Sequence, residues 1–174
     1  MATSASRDDV LRELERLHEK IDRKEQGLAR RARLMCRRGC AACCIDGITV
    51  FEIEAERIRR HHARLLSQGI PHAEGACALL SHDGACRVYD ERPYVCRTQG
   101  LPLQWFEELS TGEVREQRDI CPLNAAGVEL DSLRTEDLWM IGPFELRLAE
   151  LQERFSGGPL TRVTLRSLFV MEPV

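Results

Sequence analysis

The chain has 174 residues, of which 43% are hydrophobic and 30% are charged, and this is enough for one domain with an apolar core of its own. Its formal net charge of −3 lacks the basic excess by which proteins bind nucleic acids or anionic lipid surfaces. No apolar segment approaches the ~20 residues of a transmembrane helix, so we expect neither a nucleic-acid partner nor a membrane.

The first predicted element is a long helix over residues 7–33. Ser6, followed by Asp8 and Asp9, is typical of an N-cap. Five apolar residues recur at helical spacing: Val10, Leu14, Leu17, Ile21 and Leu28. This stripe predicts a helix that packs on its own domain or, alternatively, one that forms a homo-oligomer or binds a protein partner as a coiled coil.

The next feature is a group of cysteines that lie close together in the sequence. Four of the eight cysteines fall in the C-x3-C-x2-C-C segment that ends in the adjacent pair Cys43 and Cys44. The N-terminus has no apolar run typical of a secretory signal, so we expect a cytoplasmic protein whose reduced cysteines are metal ligands rather than cystines. Because neighbouring side chains diverge from the backbone, one member of the pair serves a second metal, bridges two metals or stays free.

The elements that follow predict a mainly α fold, a single small domain of helices around an irregular cysteine-rich metal-binding centre. Thr49 and Glu52 resemble a capping box that opens a second helix, which ends at Gly69. Residues 72–123 are rich in turns and predict only short strands or single turns. Helix is expected again from about residue 130, with Pro143 at a break or in a new first turn and a stop at Gly157. A last short helix is expected over residues 161–170.

Three regions are expected within this one domain. Residues 1–34 form the N-terminal helix, residues 35–125 the cysteine-cluster metal-binding region and residues 126–174 the C-terminal helices. The five histidines show no zinc-finger spacing, and we expect them to be surface or packing residues. The eight thiols are compatible with two zinc ions, two cubane iron–sulfur clusters, or one cluster with cysteines left for chemistry.

The second group of cysteines lies in a longer motif. Cys77-Ala78-Leu79-Leu80 precedes Gly84-Ala85-Cys86-Arg87-Val88-Tyr89-Asp90-Glu91-Arg92-Pro93-Tyr94-Val95-Cys96-Arg97. Together with the first segment, it resembles the CxxCxxCC family of YkgJ-like proteins, described as zinc- or iron-chelating. The resemblance implies metal binding by the following cysteines: Cys36, Cys40, Cys43, Cys44, Cys77, Cys86, Cys96 and Cys121.

Three residues of the motif are expected next to the bound group. Thiolate cages carry negative charge, which Arg92 and Arg97 would offset while donating hydrogen bonds to sulfur, and Tyr89 would pack its ring over the site. The sulfur-only ligand set, gathered from four chain regions, favours an iron–sulfur cluster over zinc. The expected function is redox or assembly work with a partner. Alternatives are a structural zinc protein and a metalloenzyme that modifies a peptide or protein, with no catalytic residue identified.

Overall fold

The computed structural model describes residues 6–36, 39–126 and 128–169. Its helices in these ranges are α1 (Arg7–Ala32), α2 (Glu52–His61), α3 (Ala63–Gln68), α4 (Tyr94–Thr98), α5 (Pro122–Ala125) and α6 (Gly142–Ser156). Its strands are β1 (Thr49–Phe51), β2 (Leu103–Glu108), β3 (Val114–Asp119), β4 (Trp139–Met140) and β5 (Arg162–Thr164). Four 3-10 turns complete these elements: Tyr89–Glu91, Leu130–Ser132, Thr135–Asp137 and Arg166–Leu168.

The strands form two small sheets, which the mainly α prediction did not include. One pairs β1 with β5 antiparallel, with Thr49 opposite Thr164. The other has the order β3-β2-β4, in which β2 and β3 form an antiparallel hairpin and β2 and β4 run parallel. Of the residues that the structure describes, 48% are helical, 3-10 turns included, and 15% are extended, so the fold is mixed rather than clearly mainly α.

Helix α1 confirms the first prediction. The Ser6 side chain accepts a hydrogen bond from the Asp9 N–H, and the Asp9 carboxylate accepts one from the Ser6 N–H, which completes a capping box. Of the predicted stripe, Val10, Leu14 and Ile21 are fully buried. They share one core with Trp139 and with the apolar face of α6. The stripe is therefore covered within its own chain.

The described part of the chain forms two apolar cores. The first core lies between α1 and α6 and includes Tyr94 and Trp139. The second core lies between α2, α3 and β1 and contains the segment from Cys77 to Leu80 together with Leu168. Four cysteines contact this second core, so it bears directly on the site.

A buried polar group joins α1 to α2. Arg57 Nη1 lies 2.9 Å from His18 Nδ1, and the other ring nitrogen lies 3.4 Å from Glu54 Oε1. His18 is 2% exposed, and this burial lowers its pKa. His18 is therefore a packing residue, as predicted, and it is neutral near pH 7.

Three predicted helix boundaries are wrong. Thr49 does not cap α2, because it pairs with Thr164 in β1, and α2 begins three residues later after Phe51. Instead of a last helix, the β-branched Val163 and Thr164 lie in strand β5, and a 3-10 turn follows at Arg166–Leu168. Helix does not return at residue 130, where 3-10 turns and β4 intervene. It begins at Gly142, with Pro143 in the first turn as expected.

Candidate metal centre

All eight cysteines carry free thiols. The loop that holds the first four turns tightly, since the Cys44 N–H donates to the Ala41 carbonyl at 2.9 Å. This loop packs against the turn before Cys86, where a Cβ placed on Gly84 would lie 3.3 Å from the Gly39 carbonyl oxygen. The two cysteine segments of the sequence are thus adjacent in space.

Four thiols lie against the second core, and we name them the core set: Cys44, Cys77, Cys86 and Cys96. The backbone holds them together, because the Cys77 N–H donates to the Cys44 carbonyl at 2.9 Å and Cys86 forms an antiparallel bridge with Leu80. Burial raises the pKa of Cys96 to about 12, and the neighbouring charges of Cys77 and Cys86 add to the shift. Metal-free, these thiols are protonated at neutral pH.

Helix α4 brings Cys96 into the core set. The Tyr94 N–H at its start donates to Glu54 Oε1 at 2.7 Å, and Glu54 is only 4% exposed. On the other side of Cys96, the Arg97 side chain donates to the carbonyls of Arg92 and Asp90, each at 2.6 Å. A buried carboxylate and a buried guanidinium therefore fix the turn that presents this cysteine.

The other four thiols form what we name the outer set: Cys36, Cys40, Cys43 and Cys121. Burial raises the pKa of Cys36, and the charges of Cys40, Cys121 and Cys43 add to the shift, so these sulfurs lie within electrostatic reach of one another. None of them is a member of either core among the described residues. The outer set is thus the more accessible of the two.

Asn124 connects the ends of the outer set. Its Nδ2 donates to Cys36 Sγ at 3.2 Å and to the Gly100 carbonyl at 2.8 Å, while its Oδ1 accepts from the Met35 N–H at 2.7 Å. The Asn124 N–H in turn donates to the Cys121 carbonyl at 2.8 Å. One buried amide therefore ties the Cys36 loop to the short helix that follows Cys121.

The adjacent pair lies where the two sets meet. A hydrogen bond from the Cys44 thiol lowers the pKa of Cys43 to about 6. The same bond raises the pKa of Cys44, and burial and the charges of Cys43, Cys77 and Cys96 add to that shift. Within this pair, the hydrogen bond favours the thiolate at Cys43 and the protonated thiol at Cys44.

The three motif residues expected beside the bound group occupy different environments. Arg92 is half-buried. Burial is the largest effect at Cys86 and Cys96 and raises the pKa of both, and the charge of Arg92 partly opposes it. At Cys43 the bond from Cys44 is the largest effect, and the charge of Arg92 also lowers the pKa. Tyr89 is 58% exposed, and its ring lies 3.7 Å beneath the Arg92 guanidinium.

Arg97, expected to donate to sulfur, is bonded elsewhere. Its side chain also forms an ion pair with Asp22 of α1 at 2.5 Å, in addition to its carbonyl bonds. Because its hydrogen bonds go to α1 and to the turn before α4, Arg97 anchors that turn to α1.

Sequence reasoning missed the residues that position the loops. Arg166 forms an ion pair with Asp46 at 2.6 Å and donates to the Ala76 carbonyl at 3.0 Å, next to Cys77. Gly100 has φ +93°, and a Cβ there would lie 2.5 Å from Cys36 Sγ. In the sequence, only the Gln99-Gly100 pair indicated a turn near the site, since Asn124 and Arg166 look like ordinary polar residues there.

The donor chemistry fits a soft metal. In the ranges that the structure describes, no three histidine, cysteine, aspartate or glutamate side chains are arranged to hold a metal ion as they stand. Each set nevertheless brings four sulfurs to one neighbourhood, and four thiolates are the donors of four-cysteine zinc sites and of iron–sulfur clusters. Binding therefore requires the thiols to lose their protons and the side chains to close around the ion.

A family model described as "CxxCxxCC: Putative zinc- or iron-chelating domain" matches residues 35–122, just over half of the chain. The chain belongs to this family. Its matched range contains all eight cysteines of the core and outer sets, and this supports metal binding. No curated protein and no solved structure matches the chain. Among the described helices, none has both the length and the apolar character needed to cross a bilayer.

Proposed function

We propose that this protein holds its metal through cysteine thiolates alone, as an iron–sulfur centre that does redox or assembly work with a protein partner in the cytoplasm. The metal-binding region is residues 35–125, and the helices on either side belong to the same domain. The observation that carries the proposal is the convergence of free thiols from four chain segments with Arg92, whose positive charge offsets thiolate charge in both sets.

The protein side of such a centre follows from the contacts above. Thiolates bind iron once their protons are displaced, and hydrogen bonds and positive charge near sulfur tune the reduction potential. Asn124 donates its Nδ2–H to Cys36 Sγ, which is the kind of bond that stabilises a ligating thiolate. The 62% exposure of Met35, next to Cys36, leaves this side of the site open to a partner surface.

A structural zinc protein is the second candidate. It is supported by the core set, whose sulfurs pack against the second core and are suited to a closed, redox-silent zinc site with four cysteine ligands. In that case metal binding would serve the fold.

The test is anaerobic purification followed by absorption spectroscopy and analysis for iron, labile sulfide and zinc. We expect brown protein with visible charge-transfer absorbance and equal amounts of iron and sulfide. Cys96→Ser should have less colour and less metal than the wild type, whereas Ala42→Ser, which puts the same side chain at an exposed position of the first loop, should keep both in full. Colourless protein with stoichiometric zinc would favour the second candidate, and protein without either metal would contradict both.

A further inference from the structure

We propose that the eight cysteines form two separate four-thiolate centres, one in the outer set and one in the core set, and that the adjacent pair Cys43 and Cys44 is divided between them. This inference rests on the proposed function, since it assigns the ligands of the same metal-binding region. It decides between the alternatives that the sequence leaves open for the adjacent pair.

The first argument is packing. The second core contacts four cysteines, and they are the members of the core set. Cys44 is one of them, held to Cys77 by the backbone bond at 2.9 Å. Its neighbour Cys43 is outside this core, in agreement with the divergence of adjacent side chains. A single cage for all eight sulfurs would require the core set to leave its apolar surroundings.

The second argument is the separate framework of each set. The outer set is joined through Asn124, which reaches Cys36 by its side chain and Cys121 by its backbone. The core set is joined through the bridge at Cys86 and the anchored helix α4, which carries Cys96. These frameworks meet at the turn of Cys43 and Cys44 and where Gly84 packs against Gly39, but each set has anchors of its own. We therefore expect that one set can be emptied without dismantling the other.

The experiment counts the metal of the anaerobically isolated full chain by native mass spectrometry and elemental analysis. We expect two equal centres per wild-type chain. Cys121→Ser should halve the metal content by emptying the outer set, and Cys86→Ser should halve it by emptying the core set. Ala42→Ser is the matched control and should keep both centres. If Cys86→Ser fails to fold, Cys121→Ser alone still tests the inference, because it changes a loop outside both cores.

A second readout identifies which thiols each variant frees. Metal-bound thiolates are protected from alkylation, so iodoacetamide labelling followed by peptide mapping should label the remaining outer set in Cys121→Ser and leave the core set unlabelled. One centre per wild-type chain, or complete loss of metal in folded Cys121→Ser, would overturn the division while leaving metal binding intact. Labelling that does not separate the sets would also overturn it. A wild-type chain without metal would instead contradict the proposed function itself.

Discussion

Asn124 gives the sharpest single-residue prediction. Asn124→Ala removes three side-chain hydrogen bonds, to Met35, Gly100 and Cys36. The Gly100 carbonyl is buried and would lose its Asn124 partner, which costs about 1–3 kcal/mol. Met35 is 62% exposed, so water replaces the bond to its N–H and the loss there is about 0.5 kcal/mol. With the weaker bond to sulfur, the expected loss in free energy of unfolding is about 2–4 kcal/mol.

The assay is anaerobic urea unfolding of the isolated protein, followed by circular dichroism. Leu123→Ala is the matched control, because Leu123 is on the same short helix and is 51% exposed. Its expected loss is below about 0.5 kcal/mol, as is usual for surface substitutions. If Asn124→Ala and Leu123→Ala lose the same free energy of unfolding, the side-chain amide does not hold the outer set together.

Asn124→Asp separates the bond to sulfur from the rest of the amide's role. The aspartate keeps an oxygen for the Met35 N–H but places a negative charge beside Cys36 Sγ in place of a donor. Because like charges disfavour the thiolate, the outer set should lose metal while the core set keeps it. Unchanged metal content in this variant would show that the contact with Cys36 has no part in binding.

Three further substitutions have expected outcomes. Gly100→Ala would place a side chain on a left-handed backbone, with its Cβ 2.5 Å from Cys36 Sγ. It should reduce the free energy of unfolding by about 2–4 kcal/mol in urea unfolding and reduce the metal content found by elemental analysis. Tyr94→Phe removes the hydroxyl that accepts from Trp139 Nε1 at 2.9 Å and should cost about 1–3 kcal/mol in the same unfolding assay. His18 has a folded-state pKa below its unfolded value of about 6.5. Below about pH 6.5, the unfolded chain therefore binds more protons than the folded chain. The free energy of unfolding then falls by up to about 1.4 kcal/mol per pH unit until the folded-state pKa is reached. His18→Gln should flatten this dependence in unfolding curves between pH 7.5 and 5.

Each of these substitutions has a matched control. Gly112→Ala has a similar positive φ but nothing within 4 Å of the added Cβ, so a loss equal to that of Gly100→Ala would mean that contact with Cys36 contributes nothing. Tyr89→Phe changes an exposed tyrosine and should leave stability unchanged, whereas a loss like that of Tyr94→Phe would refute the role of the buried hydroxyl. His82→Gln changes an exposed histidine, and the account of His18 fails if both histidine variants retain the full acid sensitivity.

The sequence predicted the features that depend on local chemistry. Ser6 and the apolar stripe of α1 were sufficient because capping and helical periodicity are properties of adjacent turns. Gly157, with φ +69°, ends α6 for the same reason. The cysteine segments identified the family because thiols at such spacing are uncommon outside metal sites.

The features that the sequence did not predict depend on distant partners. Thr49 has a good local capping pattern, but pairing with β5 more than 100 residues away overrides it. Asn124 and Arg166 become important only after the chain brings Gly100 and Asp46 beside them. Arg97 was expected beside sulfur because it adjoins Cys96, yet its guanidinium bonds α1.

The most direct test of sulfur-only coordination is X-ray absorption spectroscopy at the metal edge of the anaerobically isolated protein. If the eight cysteines ligate in two sets of four, the first shell should contain four sulfur atoms per metal at about 2.3 Å and no lighter ligand. A nitrogen or oxygen shell at about 2.0–2.1 Å, or fewer than four sulfurs per metal, would contradict this assignment.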